Sequence, residues 1–451
     1  MLSYSNWKDT YKSRLRTFEE AVNELKDGDS MTTTSGVGGP SAPFMELLFD
    51  RVISGDLKDF TLTDGVCIKP HKYHKPENVS KWFGKINWRT TYFTAVNIAL
   101  SKMRAMDYMP MCGADAWWRT AYGANVLYIS VTPPNELGFV NTSCASFSTP
   151  DVVAEWNRMG KDHLIIAEVN ENLPWVFGDT MYHVSEIDIF IEHNSPLAQM
   201  TRAEPTEIES AIGGYVASLI NDRDTIQMGW GGVSEAVISN LQNVRDLGVV
   251  SEVIPAGLPR LCEEGIITNK YKPFYTGKTV AGLCTGNQEL YDFMNMNPTA
   301  ILTRCKETND IGFIAKHPNM KAINTTAMID LTGVSTAEGN GHFEFSGCGG
   351  QLEFVVGSHY SPGGASINLL PSSRVNKNGE RLSNILPELP AGTPVTIPRT
   401  VHDFIVTEYG IADLRLKDRR QRAEELISVA HPDFRGELRK AAFTNFYPVT
   451  K

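Results

Sequence analysis

The chain is poor in the residues that build metal sites and disulfide frameworks. It has only seven cysteines in 451 residues, an odd number, and no two of them form a CxxC pair. Its ten histidines include no HExxH pattern. Scattered thiols are typical of a reducing cytoplasm rather than of a disulfide scaffold or a zinc centre. The sequence therefore predicts a cytoplasmic protein without a metal site.

Excess positive charge and long apolar runs are missing as well. The formal net charge of -10 argues against nucleic acid, because phosphate binding requires a basic face. No apolar run approaches the roughly 18 residues of a membrane span. The first residues, MLSYSNWKDTYKSRL, contain no apolar signal core. We expect neither a nucleic-acid nor a membrane partner.

What is present fits a globular protein of more than one domain. The residues are 42% hydrophobic and 21% charged, and the length of 451 residues predicts about two or three domains. Strand-like runs such as HLIIAEVN, IDIFIEH, TVAGLC, AILTRC, VTIPRT and DFIVTEYG alternate with helical segments. This alternation favours an α/β fold with mainly parallel sheets, in which ligands bind beyond the carboxyl ends of the strands.

A weak internal repeat predicts how the domains are arranged. DGDSM precedes the glycine turn GVGG in the first half, and DRDTI precedes GWGG in the second. A helical pattern follows each turn. A chance match and a duplication both account for so short a similarity. Duplication predicts two similar α/β domains, residues 1–200 and 201–451, with the boundary between residues 193 and 205.

Three glycine loops are the first candidates for chemistry: GVGG (36–39), GWGG (229–232) and GCGG (347–350). None fits a P-loop or a dinucleotide-binding pattern. Each suits a tight turn that needs a positive φ. Each equally suits a set of backbone N–H donors for a phosphate or an oxyanion.

Glu252 is the second candidate, because it interrupts an apolar strand pattern. GVVSEVIPAG reads as a buried strand that runs into a turn, and a charge there is costly unless something offsets it. A strand-end glutamate that reaches solvent is one interpretation. The other is a partly desolvated nucleophile that faces the glycine loop about twenty residues earlier.

Longer segments resemble the acetyl-CoA hydrolase/transferase family, in its branch of 4-hydroxybutyrate and butyrate CoA-transferases. The resemblance covers nearly the whole chain. It is carried by VTPPNELGFVN, TIQMGWGGVSEAV, DLGVVSEVIPAGLPRLCEEGIITN, INTTAMIDLTG and FSGCGGQLEFVVGSHYSPGGASI. It implies two related α/β domains with the active site in the cleft between them.

The resemblance also implies roles for individual residues. It places the family's catalytic glutamate, which carries CoA as a thioester, on Glu252. The residues that it assigns to CoA binding are Gly229, Trp230, Gly231, Gly232, Val233, Asn324, Gly347, Gly349 and Gly350. The implied reaction is ping-pong transfer of CoA to a short or medium-chain carboxylate by a homodimer or homotetramer. CoA would be a substrate, and no cofactor would be bound permanently.

The chain departs from the family's pattern at Asn135, Met328 and Ala365, and in MCGADAWW (111–118). These departures leave the acyl group and the acceptor open. An acyl-CoA hydrolase is the alternative enzyme, since the same residues would serve it, and a non-catalytic CoA sensor is the alternative from another class.

Two other groups of residues have chemical potential. GDTMYHVSEID offers Asp179, His183, Glu186 and Asp188 as an acid/base or metal cluster, although a structural hydrogen-bond network explains the same pattern. Cys348 is a possible nucleophile, but the sequence shows no histidine that would pair with it.

Overall fold

The computed structural model describes residues 6–200 and 204–448. Contacts divide the chain into two compact units. The first comprises the residues up to Met200, together with Val280–Glu307 and Phe345–Gly347. The second comprises the residues between Met200 and Val280, Thr308–Glu344, and the chain from Cys348 onward. The domain boundary between residues 200 and 201 stays a prediction. The first unit also includes Val280–Glu307 and Phe345–Gly347, which follow that boundary in the sequence.

The first unit is built on a seven-stranded sheet in which all neighbouring strands are parallel. Its strand order is Ile189–Glu192, Leu164–Val169, Val126–Val131, Ser30–Thr33, Thr61–Asp64, Asn87–Thr90 and Asp107–Tyr108. Further strands of this unit are Phe139–Asn141, Met181–His183, Phe177–Gly178 and Ala300–Leu302; the strand Thr279–Cys284 starts one residue before the unit's second stretch.

Helices cover this sheet, and their apolar faces form its two cores. They are Trp7–Ser13, Phe18–Asn23, Ala42–Ser54, Val79–Trp82, Ile98–Lys102, Ala116–Gly123 and Thr149–Met159. The helix Gln288–Met294 also belongs to this unit. The sequence WKDTYKSRLRTFEEAVNEL (7–25) has apolar residues at helical spacing and predicts a single helix. The structure divides it into two helices, because Thr17 forms a capping box with Glu20 and starts a new helix.

The second unit carries a sheet that is parallel except at one edge. The strand order is Gly410–Asp413, Phe404–Thr407, Ala365–Leu369, Met320–Thr325, Thr225–Met228 and Gly248–Ile254, and only the first pair is antiparallel. Its helices are Glu207–Ala217, Gly232–Ser239, Leu258–Glu263, Ile311–Ala315, Gln351–Tyr360, Arg419–Ser428 and Pro432–Phe446. The short helix Cys305–Thr308 spans the change from the first unit to the second. Short strand pairs complete this unit: Met328–Asp330 with Ser335–Thr336 and Ile385–Leu386, Gly339–Asn340 with Phe343–Glu344, and Ser373–Val375 with Arg381–Ser383.

The predicted repeat has the same local structure in both units. Each copy is a strand, a glycine turn and a helix: Ser30–Thr33 leads to Ala42–Ser54, and Thr225–Met228 leads to Gly232–Ser239. The α/β prediction with mainly parallel sheets is confirmed. The strand expected at VTIPRT is wrong: Ile397 makes only an isolated bridge to Ser335, because prolines on both sides limit the pairing.

One helix of the second unit matters most for the site. Phe354 on Gln351–Tyr360 is fully buried and packs in one cluster with Val250 from the strand Gly248–Ile254 and with Met320 and Ala322 from the strand Met320–Thr325. The helix therefore lies on the sheet face from which Val250 projects. Since alternate residues of a strand share a face, Glu252 projects from that face as well.

We expect Phe354→Ala to lower the stability of the second unit by about 3–5 kcal/mol, because the truncation removes a fully buried ring and leaves a cavity. Urea unfolding followed by circular dichroism would measure the shift in midpoint. Phe443→Ala is the matched control, since that ring is 65% exposed. Equal midpoints for the two variants would contradict the packing described above.

Candidate active site

Glu252 lies near the carboxyl end of the strand Gly248–Ile254. Every other residue of this strand is buried, whereas Glu252 keeps part of its surface exposed. The neighbouring Ser251 donates its hydroxyl to the carbonyl of Met228, with an O···O distance of 3.0 Å. The strand end is therefore tied to the end of Thr225–Met228, and the loop that begins at Gly229 starts beside Glu252.

A backbone donor meets the Glu252 carboxylate directly. The Gly350 N–H donates to Glu252 Oε2 at an N···O distance of 2.7 Å. Gly350 is the N-cap of the helix Gln351–Tyr360, so its N–H is among the amide groups that the helix leaves without an internal acceptor. The helix terminus thus presents a donor and a partial positive charge to the carboxylate.

Only glycine fits at position 350. A Cβ on this residue would lie 2.5 Å from Glu252 Oε2 and 2.4 Å from Asn309 Nδ2. Both distances are far shorter than a van der Waals contact. The missing side chain therefore allows the backbone to approach the carboxylate, which agrees with the use of glycine where a chain passes close to a reacting group.

Burial dominates the electrostatics of this carboxylate. It raises the pKa of Glu252, and the nearby negative charge of Glu353 raises it further. The Gly350 hydrogen bond acts in the opposite direction, and the net pKa is about 8. Glu353 is 2% exposed and lies in the first turn of the helix that Gly350 caps. A carboxylate held this way is a stronger base and nucleophile than one in water.

The predicted loop Gly229–Val233 leads into the helix Gly232–Ser239. Gly231 is its N-cap and has φ of 120°, a conformation that side chains with a Cβ rarely adopt. Trp230 is partly buried, and its indole Nε1 has no hydrogen-bond partner among the described residues. The loop therefore combines a strained glycine turn, a helix N-terminus and an unused indole N–H.

The remaining predicted residues are Asn324, Gly349 and Gly347, and each has different surroundings. Asn324 is 8% exposed on the strand Met320–Thr325, and its amide exchanges two hydrogen bonds with Gln227 (3.1 and 2.9 Å) rather than with Glu252. Gly349, with φ of 52°, precedes Gly350 in the same turn. Gly347 belongs to the first unit, where its backbone lies against Thr91.

The cluster in GDTMYHVSEID is structural. Asp179 pairs with Arg304 at 3.1 Å. His183 and Glu186 cap a short 3₁₀ turn, and Asp188 accepts the backbone N–H of Ile165. The side chains therefore hold turns and strand ends of the first unit. Cys348 lies in the turn before Gly350, where its carbonyl accepts the N–H of Gln351.

One group in the described part of the chain has metal-ligand spacing, namely Asp64, Cys67 and His74. His74 Nδ1 accepts the backbone N–H of His71 at 3.2 Å, and burial lowers the pKa of His74 to about 4. The neutral ring therefore carries its proton on Nε2, 3.7 Å from Cys67 Sγ. A metal-bound histidine donates from its second nitrogen instead of accepting there. The geometry is that of an N–H···S hydrogen bond.

Sequence reasoning missed Asn309 and Glu353. Asn309 stands before Asp310, whose side chain caps the helix Ile311–Ala315, so the pattern reads as an ordinary helix start. Glu353 is one of several acidic residues near helix starts. No local pattern distinguishes either residue, because their importance comes from segments far apart in the chain.

Comparisons with known proteins agree on one family. Residues 1–200 match the acetyl-CoA hydrolase/transferase N-terminal domain, and residues 286–442 match the C-terminal domain of the same family. A succinyl-CoA:cyclohexane-1-carboxylate CoA transferase from Geobacter metallireducens is 33% identical over 443 residues, which is 97% of each chain. A 4-hydroxybutyrate coenzyme A transferase from Clostridium kluyveri is 33% identical over 96% of this chain and 98% of its own.

Among solved structures, RipA from Yersinia pestis is similar with a TM-score of 0.87 and 29% identity, over 97% of this chain and 99% of that one. Acetyl-CoA hydrolases are more distant. The one from Neurospora crassa is 25% identical over 56% of this chain and 48% of its own length. In the described residues, no helix is both long and apolar enough to cross a membrane.

The raised pKa of Glu252 predicts how stability depends on pH. Below the unfolded pKa of about 4.5 the group is protonated in both states. Between that pH and about 8, the unfolded chain releases the proton while the folded protein keeps it, so the folded state loses stability. Glu252→Gln should therefore raise the Tm at pH 8 by a few degrees, and the gain should vanish near pH 4.5.

Thermal unfolding of both proteins across this pH range tests the prediction. Glu289→Gln, at an exposed glutamate, is the control and should change the Tm little at any pH. A Tm difference between wild type and Glu252→Gln that does not grow with pH would show that the carboxylate has an ordinary pKa.

Proposed function

Because this chain belongs to the acetyl-CoA hydrolase/transferase family and is a CoA-transferase, we propose that it transfers CoA between carboxylates through a thioester on Glu252. The donor is an acyl-CoA, and the acceptor is a short or medium-chain carboxylic acid. The observation that carries the proposal is the Glu252 carboxylate, which has a pKa of about 8 because of burial and accepts a backbone N–H at 2.7 Å, on a residue that keeps part of its surface exposed.

The reaction needs an enzyme group that binds first the acyl group and then CoA covalently, while CoA passes from one carboxylate to the other. Ionised Glu252 attacks the thioester carbonyl, which forms a mixed anhydride and releases CoA thiolate. The thiolate then adds to the Glu252 carbonyl carbon and expels the first carboxylate, leaving a glutamyl-CoA thioester. A second carboxylate reverses both steps. Each bond that is broken is matched by one that forms, so the exchange requires no ATP.

Each addition places negative charge on a carbonyl oxygen, and fixed donors lower the barrier most effectively there. The Gly350 N–H already points at Glu252 Oε2, so it needs no rearrangement when that oxygen becomes an oxyanion. With a pKa of about 8, roughly a tenth of Glu252 is ionised at pH 7. This ionised form is more nucleophilic than a carboxylate of ordinary pKa, because it is more basic.

Binding energy from remote parts of CoA can be used at the reacting carbon. We assign the loop Gly229–Val233, with the turn around Gly349 and Gly350, to CoA. Trp230 is the bulky residue of that loop and would keep water from the anhydride. Asn324, held by Gln227, completes the wall of the site on the neighbouring strand. CoA enters and leaves as a substrate, and no other cofactor takes part.

The names of the relatives guide the choice of acids. The Geobacter metallireducens protein is described as acting on succinyl-CoA and cyclohexane-1-carboxylate, and the Clostridium kluyveri protein on 4-hydroxybutyrate. Succinate, cyclohexane-1-carboxylate and 4-hydroxybutyrate are therefore the first acceptors to test, together with acetate and butyrate as simple short-chain acids. A cytoplasmic homodimer or homotetramer is the assembly that we propose.

A mass-spectrometric exchange assay tests the reaction. The protein is given a panel of acyl-CoAs with isotopically labelled acids, and each CoA species is followed. Labelled acyl-CoA should form with wild type and disappear with Glu252→Gln, while CoA affinity stays within about three-fold, because the amide keeps the shape but cannot attack. An acid-quenched sample should show CoA bound to the peptide that contains Glu252.

Glu338→Gln is the matched control. Glu338 is a buried carboxylate of the same unit that accepts the Thr396 hydroxyl at 2.7 Å, and its variant should keep the exchange activity. Exchange that survives in Glu252→Gln would refute the nucleophile. Free CoA released at the same rate with and without an added acid would identify a hydrolase, and binding without turnover would identify a sensor.

Gly231→Val tests the assignment of the CoA loop. Valine at φ of 120° strains the N-cap of the helix Gly232–Ser239, so both the KM for acyl-CoA and the kcat should worsen, by about ten-fold or more. Gly379→Val is the control, because Gly379 has φ of 82° in an exposed hairpin turn with space around it. Wild-type kinetics in Gly231→Val would place CoA elsewhere.

A further inference from the structure

We infer that Asn309 is a further catalytic residue, whose side-chain amide donates a hydrogen bond to the oxyanion that forms on Glu252. This inference rests on the proposed function. It concerns the step in which CoA thiolate attacks the Glu252 carbonyl carbon. With Asn309, that oxyanion has two donors, one from the backbone of Gly350 and one from a side chain.

The Asn309 amide is buried, and only one of its two polar atoms has a hydrogen-bond partner among the described residues. The residue is 0% exposed, and its Oδ1 accepts the hydroxyl of Thr308 at 3.0 Å. A flipped amide would place Oδ1 beside Glu252 Oε2, where two acceptor oxygens repel each other, so the N–H₂ end is the one that faces the carboxylate. The Nδ2 group has no hydrogen-bond partner among the described residues. A buried donor without an acceptor destabilises the fold, so such a donor points to a ligand or an intermediate that uses it.

The free end of the amide faces the same space as the nucleophile. A methyl carbon built on Gly350 would lie 2.4 Å from Asn309 Nδ2 and 2.5 Å from Glu252 Oε2. Both atoms thus border one small volume above the Gly350 backbone. A side chain at residue 350 would fill that volume, and glycine leaves it open.

This geometry suits the transition state better than the resting enzyme. In the structure, Gly350 binds Glu252 Oε2 and the Asn309 amide makes no bond to it. When the thiolate adds to the Glu252 carbonyl carbon, the C=O electron pair moves to Oε2 and the carbon becomes tetrahedral. The oxyanion then attracts the waiting N–H. When the pair returns, the bond to the departing carboxylate breaks. A donor that engages only at this stage lowers the barrier rather than stabilising the ground state.

The fold holds Asn309 rigidly enough for this role. The next residue, Asp310, accepts the N–H of Phe313 at 2.6 Å and so starts the helix Ile311–Ala315. Ile314 of that helix packs in the same core cluster as Phe354, which belongs to the helix that Gly350 caps. One packed cluster therefore sets the position of both donors.

Asn309→Leu is the variant that removes the donor and keeps the size. We expect its kcat to fall about 100-fold or more, the typical loss for one oxyanion donor. The KM for acyl-CoA should stay within about three-fold. In a single turnover, the glutamyl-CoA adduct on Glu252 should form more slowly by the same factor as kcat.

Asn384→Leu is the matched control, because Asn384 is also a buried amide of the second unit and donates to the carbonyl of Pro371 at 2.8 Å. It should lower the Tm without slowing turnover. If Asn309→Leu fails to fold, Asn309→Ala removes the same donor with a smaller side chain that cannot donate.

The outcomes separate this inference from the proposed function. Slow adduct formation in the Asn309 variants, with normal kinetics in Asn384→Leu, supports it. Adduct formation at the wild-type rate in an Asn309 variant overturns it and leaves the proposed function intact. Equal losses of kcat in the Asn309 and Asn384 variants also overturn it, since they show a structural role. Wild type that forms no adduct on Glu252 refutes both.

Discussion

The hydrogen bond from the Gly350 N–H to Glu252 Oε2 is the interaction on which the candidate site depends. It joins residues that are 98 positions apart, and it forms only because residue 350 has no side chain. The helix that begins there is anchored by Phe354 on the sheet face that also carries Glu252. This one hydrogen bond therefore depends on the packing of Phe354 and on the glycine backbone at residue 350, and it affects the charge state of Glu252. Any change that lifts the helix from the sheet also removes the backbone donor from the Glu252 carboxylate.

Several features of the candidate site lower the stability of the folded protein. Glu252 and Glu353 place two acidic side chains in a poorly solvated region, and burial raises the pKa of Glu252 to about 8. Within residues 6–200 and 204–448, the Asn309 amide donor has no acceptor, and neither has the indole N–H of Trp230. Each feature costs folding free energy and each is useful to a reaction that builds charge on a carbonyl oxygen. Local instability of this kind is typical of functional sites.

Several parts of the fold could be predicted, because they follow from local patterns. Apolar runs and glycine turns gave the strand–turn–helix segments at residues 30–54 and 225–239, and the strand that carries Glu252. Patterns failed where tertiary contacts override them. The helical pattern over residues 7–25 is split by the Thr17 capping box. The apolar run at VTIPRT is not a strand, since prolines limit its pairing to one bridge.

The sequence by itself determined the family and the fold class, and it supplied the candidate residues: one carboxylate in an apolar strand and the glycine turns. Only the tertiary structure decided which groups meet that carboxylate. Gly350 and Asn309 reach Glu252 because three distant segments pack on one sheet face, and the pKa depends on how much solvent that packing removes. These distances and this burial depend on contacts between residues that are far apart in the sequence, so no local pattern of residues predicts them.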